Sequence, residues 1–190
     1  MTRFPVRKMW GPVVSLAGAL ALSALTIFPA SAAGTVTQVI NCPTTNSLTA
    51  TIADMTLQPV TYSATVQESP GTITLTAAEL GCAGQGWNVT VQASDWARQN
   101  GGPAISANAF TLTQVANPAA VSGQGINALG GPKLVNNVGT LNLSRKVLQA
   151  NAGYGLGSYA QVLGVKLTIP DTALPGTYRA VVTTTISTGP

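Results

Sequence analysis

Between residues 60 and 67 apolar and polar side chains alternate without a break, Val60, Tyr62, Ala64 and Val66 interleaving with Thr61, Ser63, Thr65 and Gln67. Successive side chains of an extended chain point to opposite faces, so a period of two predicts a half-buried strand. Ile73 and Leu75 alternate with Thr72, Thr74 and Thr76 in the same way, and Ser69-Pro70-Gly71 between the two runs reads as a turn. The two runs are expected to form a hairpin. Trp87, Val89 and Val91 share one face opposite Asn88, Thr90 and Gln92, which predicts a further strand anchored by a large aromatic. Residues 105–115, beyond the polar connection 94–102, are its expected partner.

Further strand-like runs lie at 35–40, 47–53, 138–143 and 146–148, and 159–169 with 178–186 reads as a last pair joined by Pro170-Asp171-Thr172-Ala173-Leu174-Pro175-Gly176. Residues 117–137 hold Pro118, Gly123, Gly125, Gly130, Gly131 and Pro132 without a sustained period, and read as a long surface excursion. No run beyond the leader carries a helical period of 3.6. The fold expected is all-β, an antiparallel β-sandwich of short strands.

The first 33 residues differ from the rest. Arg3, Arg7 and Lys8 precede an apolar run from Val13 to Phe28, and Ala30-Ser31-Ala32 supplies small residues at signal-peptidase spacing. The run is shorter than the roughly 20 residues needed to span a bilayer. Residues 1–33 are therefore expected to be a cleaved signal peptide, and 34–190 a single secreted domain with no membrane span. The leader also holds three of the nine Lys and Arg, which leaves six cations against five acids and a net charge of +1. So weak a charge gives no footprint for nucleic acid. Arg145-Lys146 reads as a solvated strand end.

Cys42 and Cys82 are the only cysteines, and both follow the leader. In an oxidising compartment a Cys42–Cys82 disulfide is the expected state, two buried free thiols being the alternative. The chain has no histidine, which removes the commonest general base, the serine triad and most zinc chemistry. Any carboxylate mechanism must draw on Asp54, Glu68, Glu79, Asp95 and Asp171, each near a predicted strand end or turn. Asp95 with Glu79 is the best available glycosidase pair. Asp171 has no neighbouring acid to help it hold calcium, and Gly153-x-Gly155-x-Gly157 opens no helix that would cradle phosphate. Neither a metal nor a cofactor is expected, and the chain is read as a non-enzyme.

Gly86-Trp87-Asn88-Val89-Thr90-Val91-Gln92-Ala93-Ser94-Asp95, with Ala104-Ile105-Ser106-Ala107 and Leu112 beyond, resembles the proximal motif region of bacterial WxL-type cell-surface domains. The segment from Pro175 to Pro190 resembles their terminal strand. Trp87-Asn88-Val89 stands where the family has its first Trp-x-Leu, and Thr184-Thr185-Ile186 where it has the second, without the tryptophan. The resemblance implies an exported β-sandwich that associates non-covalently with peptidoglycan or another wall glycan. Trp87 is then either a core aromatic or, with Val89, a ligand contact. Trp96, in the polar connection, is the candidate exposed aromatic that would stack on a sugar. A rival expectation is a self-associating fibre or matrix subunit built by strand addition, with residues 34–38 as donor.

Overall fold

The computed structural model describes residue 38 and residues 47–190. The leader, the predicted strand 35–40 apart from Gln38, the proposed donor segment apart from Gln38, and Cys42 lie outside the described residues. Two antiparallel sheets face each other. The larger is built on β2 (Gln67–Glu79) and β10 (Gly157–Ile169), each 13 residues long and paired along their whole length. β1 (Leu48–Ile52) extends it on the far side of β2. β5 (Phe110–Val115) and β6 (Ala119–Gly123) share the far side of β10, and β8 (Gly139–Thr140) pairs with β5. The smaller sheet has the order β12 (Val182–Thr188), β3 (Trp87–Ala93), β9 (Arg145–Ala150), β7 (Lys133–Leu134). A short ribbon pairs β4 (Ala97–Arg98) with β11 (Tyr178–Arg179). Thus the expected all-β antiparallel sandwich is what the chain forms. Among the described residues no helix is long and apolar enough to cross a membrane.

Alternation builds the core. Odd-numbered residues of β10 point inward and are buried from Gly157 to Leu167, while even-numbered ones face out. β2 does the same with Ile73, Leu75 and Ala77, and β3 with Trp87, Val89, Val91 and Ala93. The inner faces of the two sheets share one apolar core, with Ile73, Leu75, Leu163 and Val165 from the larger and Trp87, Val89, Val91 and Leu148 from the smaller. Three polar side chains are buried on the inner faces, Ser69 and Glu79 of β2 and Gln161 of β10, the last 1 % exposed. Gln161 Nε2 donates to Ala116 O at 2.9 Å and to Val147 O at 3.1 Å, so one buried amide ties the connector after β5 to the opposite sheet.

Five expectations are corrected. Residues 60–66 form no strand, and Val60, Tyr62 and Val66 are exposed. Period-two alternation makes a strand only where a backbone partner is free, and the open edge of β2 is already covered by the chain just upstream. Ala53 N donates to Thr74 O, Ser69 Oγ to Gln58 O, and the Met55 and Leu57 side chains lie over Gly71. Ser69-Pro70-Gly71 is not a turn but the interior of β2. Pro70 sits where β10 is the only strand partner of β2, and at such an edge a missing N–H is tolerated. β3 pairs with β12 and β9 rather than with 105–115, which crosses to the other sheet as β5. β10 and β12 are likewise in different sheets, because the chain turns out through β11 between them. The expected excursion at 117–137 carries β6 and β7, and its Gly130-Gly131-Pro132 is buried, with a cis bond before Pro132.

Candidate functional site

Trp87 and Val89 are both fully buried. Trp87 Nε1 donates to Gly155 O at 3.0 Å, and the indole packs against the Tyr159 ring at 6.1 Å. Such burial leaves neither residue a surface to offer a ligand, so of the two readings of Trp87 the core aromatic is the one the fold realises. The segments carrying the family resemblance lie side by side, with Val89 opposite Ile186 and Val91 opposite Thr184. Thr184 points inward, and its hydroxyl donates to Ala50 O at 3.1 Å, joining β12 to β1.

Trp96 is half-buried rather than exposed. Its backbone exchanges hydrogen bonds with Ile105, and its ring meets Phe110 edge-on at 5.1 Å. Its Nε1 is buried and makes no hydrogen bond, a state that costs about 1–3 kcal/mol for a dry donor. Trp96 forms one wall of a groove of about 940 Å³ at the end of the sandwich where β3 finishes. Residues 53–66 form one side of this groove as an irregular strap, and residues 173–182 form the other.

The far side is held by Arg98. Its Nε donates to Pro175 O at 3.1 Å and its Nη1 to Gly101 O at 3.1 Å, which fastens the loop before β11 to the loop after β4. Gly176 has φ +155, and a Cβ there would lie 2.7 Å from Arg98 Nε, so only glycine admits this clasp. Tyr178 OH donates to Leu174 O at 2.8 Å. Asp95 is likewise structural, its Oδ1 accepting from Ala107 N at 2.7 Å at the short 3-10 turn Ala107–Ala109. The groove thus combines Tyr62, 61 % exposed at its rim, with Trp96, Tyr178, Ser63 and Gln67, a mixture of ring faces and short polar groups. Sequence reading found Trp96 but not Tyr62 or Tyr178. A tyrosine in an alternating run looks like one more strand residue.

Glu79 and Asp95 are not brought together. Glu79 is buried beside Tyr159 at the Trp87 end of the sandwich, and Asp95 follows β3 at its other end, about 20 Å of strand away. Inverting carboxylates stand roughly 6.5–9.5 Å apart and retaining ones closer. Glu79 Oε1 accepts from Gly81 N at 2.9 Å, and its negative charge adds to burial in raising the pKa of Tyr159. Among the described residues no group of three or more acids and cysteines is placed to hold a metal ion, and no free cysteine occurs.

No family model and no curated protein matches this chain. Among solved structures, a family 123 glycoside hydrolase from Clostridium perfringens, described in connection with glycolipid glycan hydrolysis, is similar at 15 % identity over 76 % of this chain, with a TM-score of 0.36. The chain spans about a quarter of that protein's length. So distant a likeness carries no argument about this chain.

Proposed function

We propose that the chain is an exported, non-catalytic module of the bacterial cell surface that binds wall glycan in the groove between the 53–66 strap and the β11 clasp. The observation that carries this reading is an exposed Tyr62 ring at the rim of a groove that the side chains of Trp96 and Tyr178 also line. Aromatic faces with scattered hydroxyl and amide groups suit a sugar, whose ring faces are apolar and whose edges are polar. The leader sequence and the WxL-like segments support the same compartment. There, Cys42 and Cys82 would form the bridge, closing a loop of about 40 residues and adding up to ~4 kcal/mol in the chain-entropy picture.

The test is binding of residues 34–190 to purified peptidoglycan sacculi. Saturable binding that weakens about tenfold in Tyr62→Ala, an exposed position where folding is spared, supports the groove. Binding unchanged in that variant removes the groove from the mechanism. A second reading is favoured by the unpaired, alternating segment 60–66: self-assembly by strand addition between copies. Light scattering that finds polymers, with no sacculus binding, selects it.

A further inference from the structure

The loop after β4 carries a reactive pair that neither the groove nor the core uses. Asn100 is the only asparagine in the chain that is followed by glycine. A side chain on the following residue shields its backbone nitrogen from the asparagine amide, and Gly101 has none. A Cβ at Gly101, where φ is +77, would have no neighbour within 4 Å, so that side of the loop is open. Residues 99–104 are all exposed, and water reaches the pair freely.

The same loop is part of the β11 clasp. Gly101 N donates to Arg98 O at 3.1 Å, closing a turn over Gln99 and Asn100, and Gly101 O accepts from Arg98 Nη1 at 3.1 Å. Arg98 Nε reaches Pro175 O, so loop, guanidinium and the chain before β11 form one hydrogen-bonded unit. Both side-chain bonds are exposed, and exposed bonds of this kind open locally without global unfolding. Each opening frees Gly101 N.

We propose that Asn100-Gly101 is a site of spontaneous covalent modification whose isoaspartate product releases the clasp. Once freed and deprotonated by water, Gly101 N attacks Asn100 Cγ within the same chain, which spares the reaction the cost of bringing two molecules together. The new N–C bond closes a succinimide ring; the bond from Cγ to the side-chain nitrogen breaks, and that nitrogen takes up a proton and leaves as ammonia. One water then opens the ring. Cleavage between Gly101 N and Cγ gives aspartate on an unaltered main chain. Cleavage between Gly101 N and the backbone carbonyl carbon of Asn100 gives isoaspartate, whose main chain runs through Cβ and Cγ. That product adds one carbon inside the turn that Gly101 N closes onto Arg98 O, and carries Gly101 O off Arg98 Nη1. Arg98 also holds the far side of the groove, so chemistry in this exposed loop reaches the groove wall.

The purified chain is aged in warm neutral buffer and mapped by digestion and mass spectrometry, with an isoaspartate-specific methyltransferase to mark that product. Asn100 should convert at least about tenfold faster than any other asparagine, the ratio for about 1.4 kcal/mol in the barrier. Chymotrypsin should cut the isoaspartate fraction after Tyr178, which pairs with Arg98, about tenfold faster than fresh protein, the factor for losing one charged hydrogen bond. Asn100→Asp carries the same charge on an unaltered main chain and should be cut at the parent's rate. Asn100→Ser, aged alongside, should stay resistant. Conversion at Asn100 no faster than elsewhere, an isoaspartate fraction cut no faster than fresh protein, or Asn100→Asp cut as fast as that fraction overturns the proposal. None of these measurements involves a glycan, so their failure is distinct from failure of the groove.

Discussion

Replacing Trp87 by phenylalanine asks whether this tryptophan holds the core or a ligand. Two losses add. The indole N–H that donates to Gly155 O disappears, and a buried carbonyl left without a partner costs about 1–3 kcal/mol. The phenyl ring is also smaller than the indole, and the void it leaves costs about 1–2 kcal/mol. The surroundings cannot close on that void. A Cβ on Gly155 would lie 2.5 Å from Ala150 Cβ, so the loop already abuts β9, and Tyr159 is fixed through its hydroxyl to Gln124 O at 2.7 Å and Leu156 O at 3.1 Å. The expected total is about 2–5 kcal/mol, or a fall in Tm of about 5–15 °C for a domain of this size. Urea unfolding followed by circular dichroism should show a lower midpoint at an unchanged slope. Sacculus binding, measured well below the new Tm, should not change. A variant as stable as the parent that had lost binding would place Trp87 at the ligand and refute its assignment to the core.

Three further outcomes follow from local geometry. Gly71→Ala puts a Cβ 2.6 Å from Met55 Cε and 2.7 Å from Leu57 Cδ2, both flexible tips, so the fold should survive while the strap lifts; chymotrypsin should then cut after Tyr62 faster than in the parent. Burial, and secondarily the Glu79 charge, raises the Tyr159 pKa above 10.0, so above that pH the unfolded chain releases a proton the folded chain retains, and stability falls as pH rises. Thermal melts from pH 8 to 11 should show this decline, and Tyr159→Phe, less stable at pH 8, should lack that contribution to the slope. Lys166→Ala breaks a 2.6 Å ion pair whose side chains are 33 % and 55 % exposed, and chemical unfolding should register no more than about 1 kcal/mol.

How far the sequence reveals this fold depends on whether the deciding partner is local. β10 was legible because its alternation is sustained and neighbours on both sides complete it, and so was β3; β1, an edge strand with β2 as its strand partner, was legible from its alternation alone. Pro70 misled because the rule that proline ends a strand concerns the ladder. At an edge nothing is lost, and the edge position of β2 is a tertiary fact. Strand pairing was less legible still, since 105–115 and 178–186 each satisfy the pattern for several partners and the sandwich sends them to opposite sheets from those expected. One signal went unused. Gln161 falls in the inward frame of β10, and a polar side chain there points to a buried tie between sheets. The groove was legible only at Trp96, because its walls come from residues near 54–63, 96 and 173–182, which no local pattern connects.

The unpaired strap also links the two readings of function. Val60, Tyr62 and Val66 are 39 %, 61 % and 59 % exposed, although their alternation is that of a strand with one buried face. Covering such side chains is favourable by roughly 1.5–3 kcal/mol for each one fully buried, so any occupant of this face gains from apolar area alone. A sugar on Tyr62 and a neighbouring strand along 60–66 draw on the same surface, and one excludes the other. Glycan fragments should therefore lower the mass of any self-assembled species, and crowding the protein should weaken its apparent affinity for glycan by the same linkage. Light scattering and glycan binding measured on the same concentration series test this. Assembly insensitive to saturating glycan would place the self-association surface somewhere other than the strap.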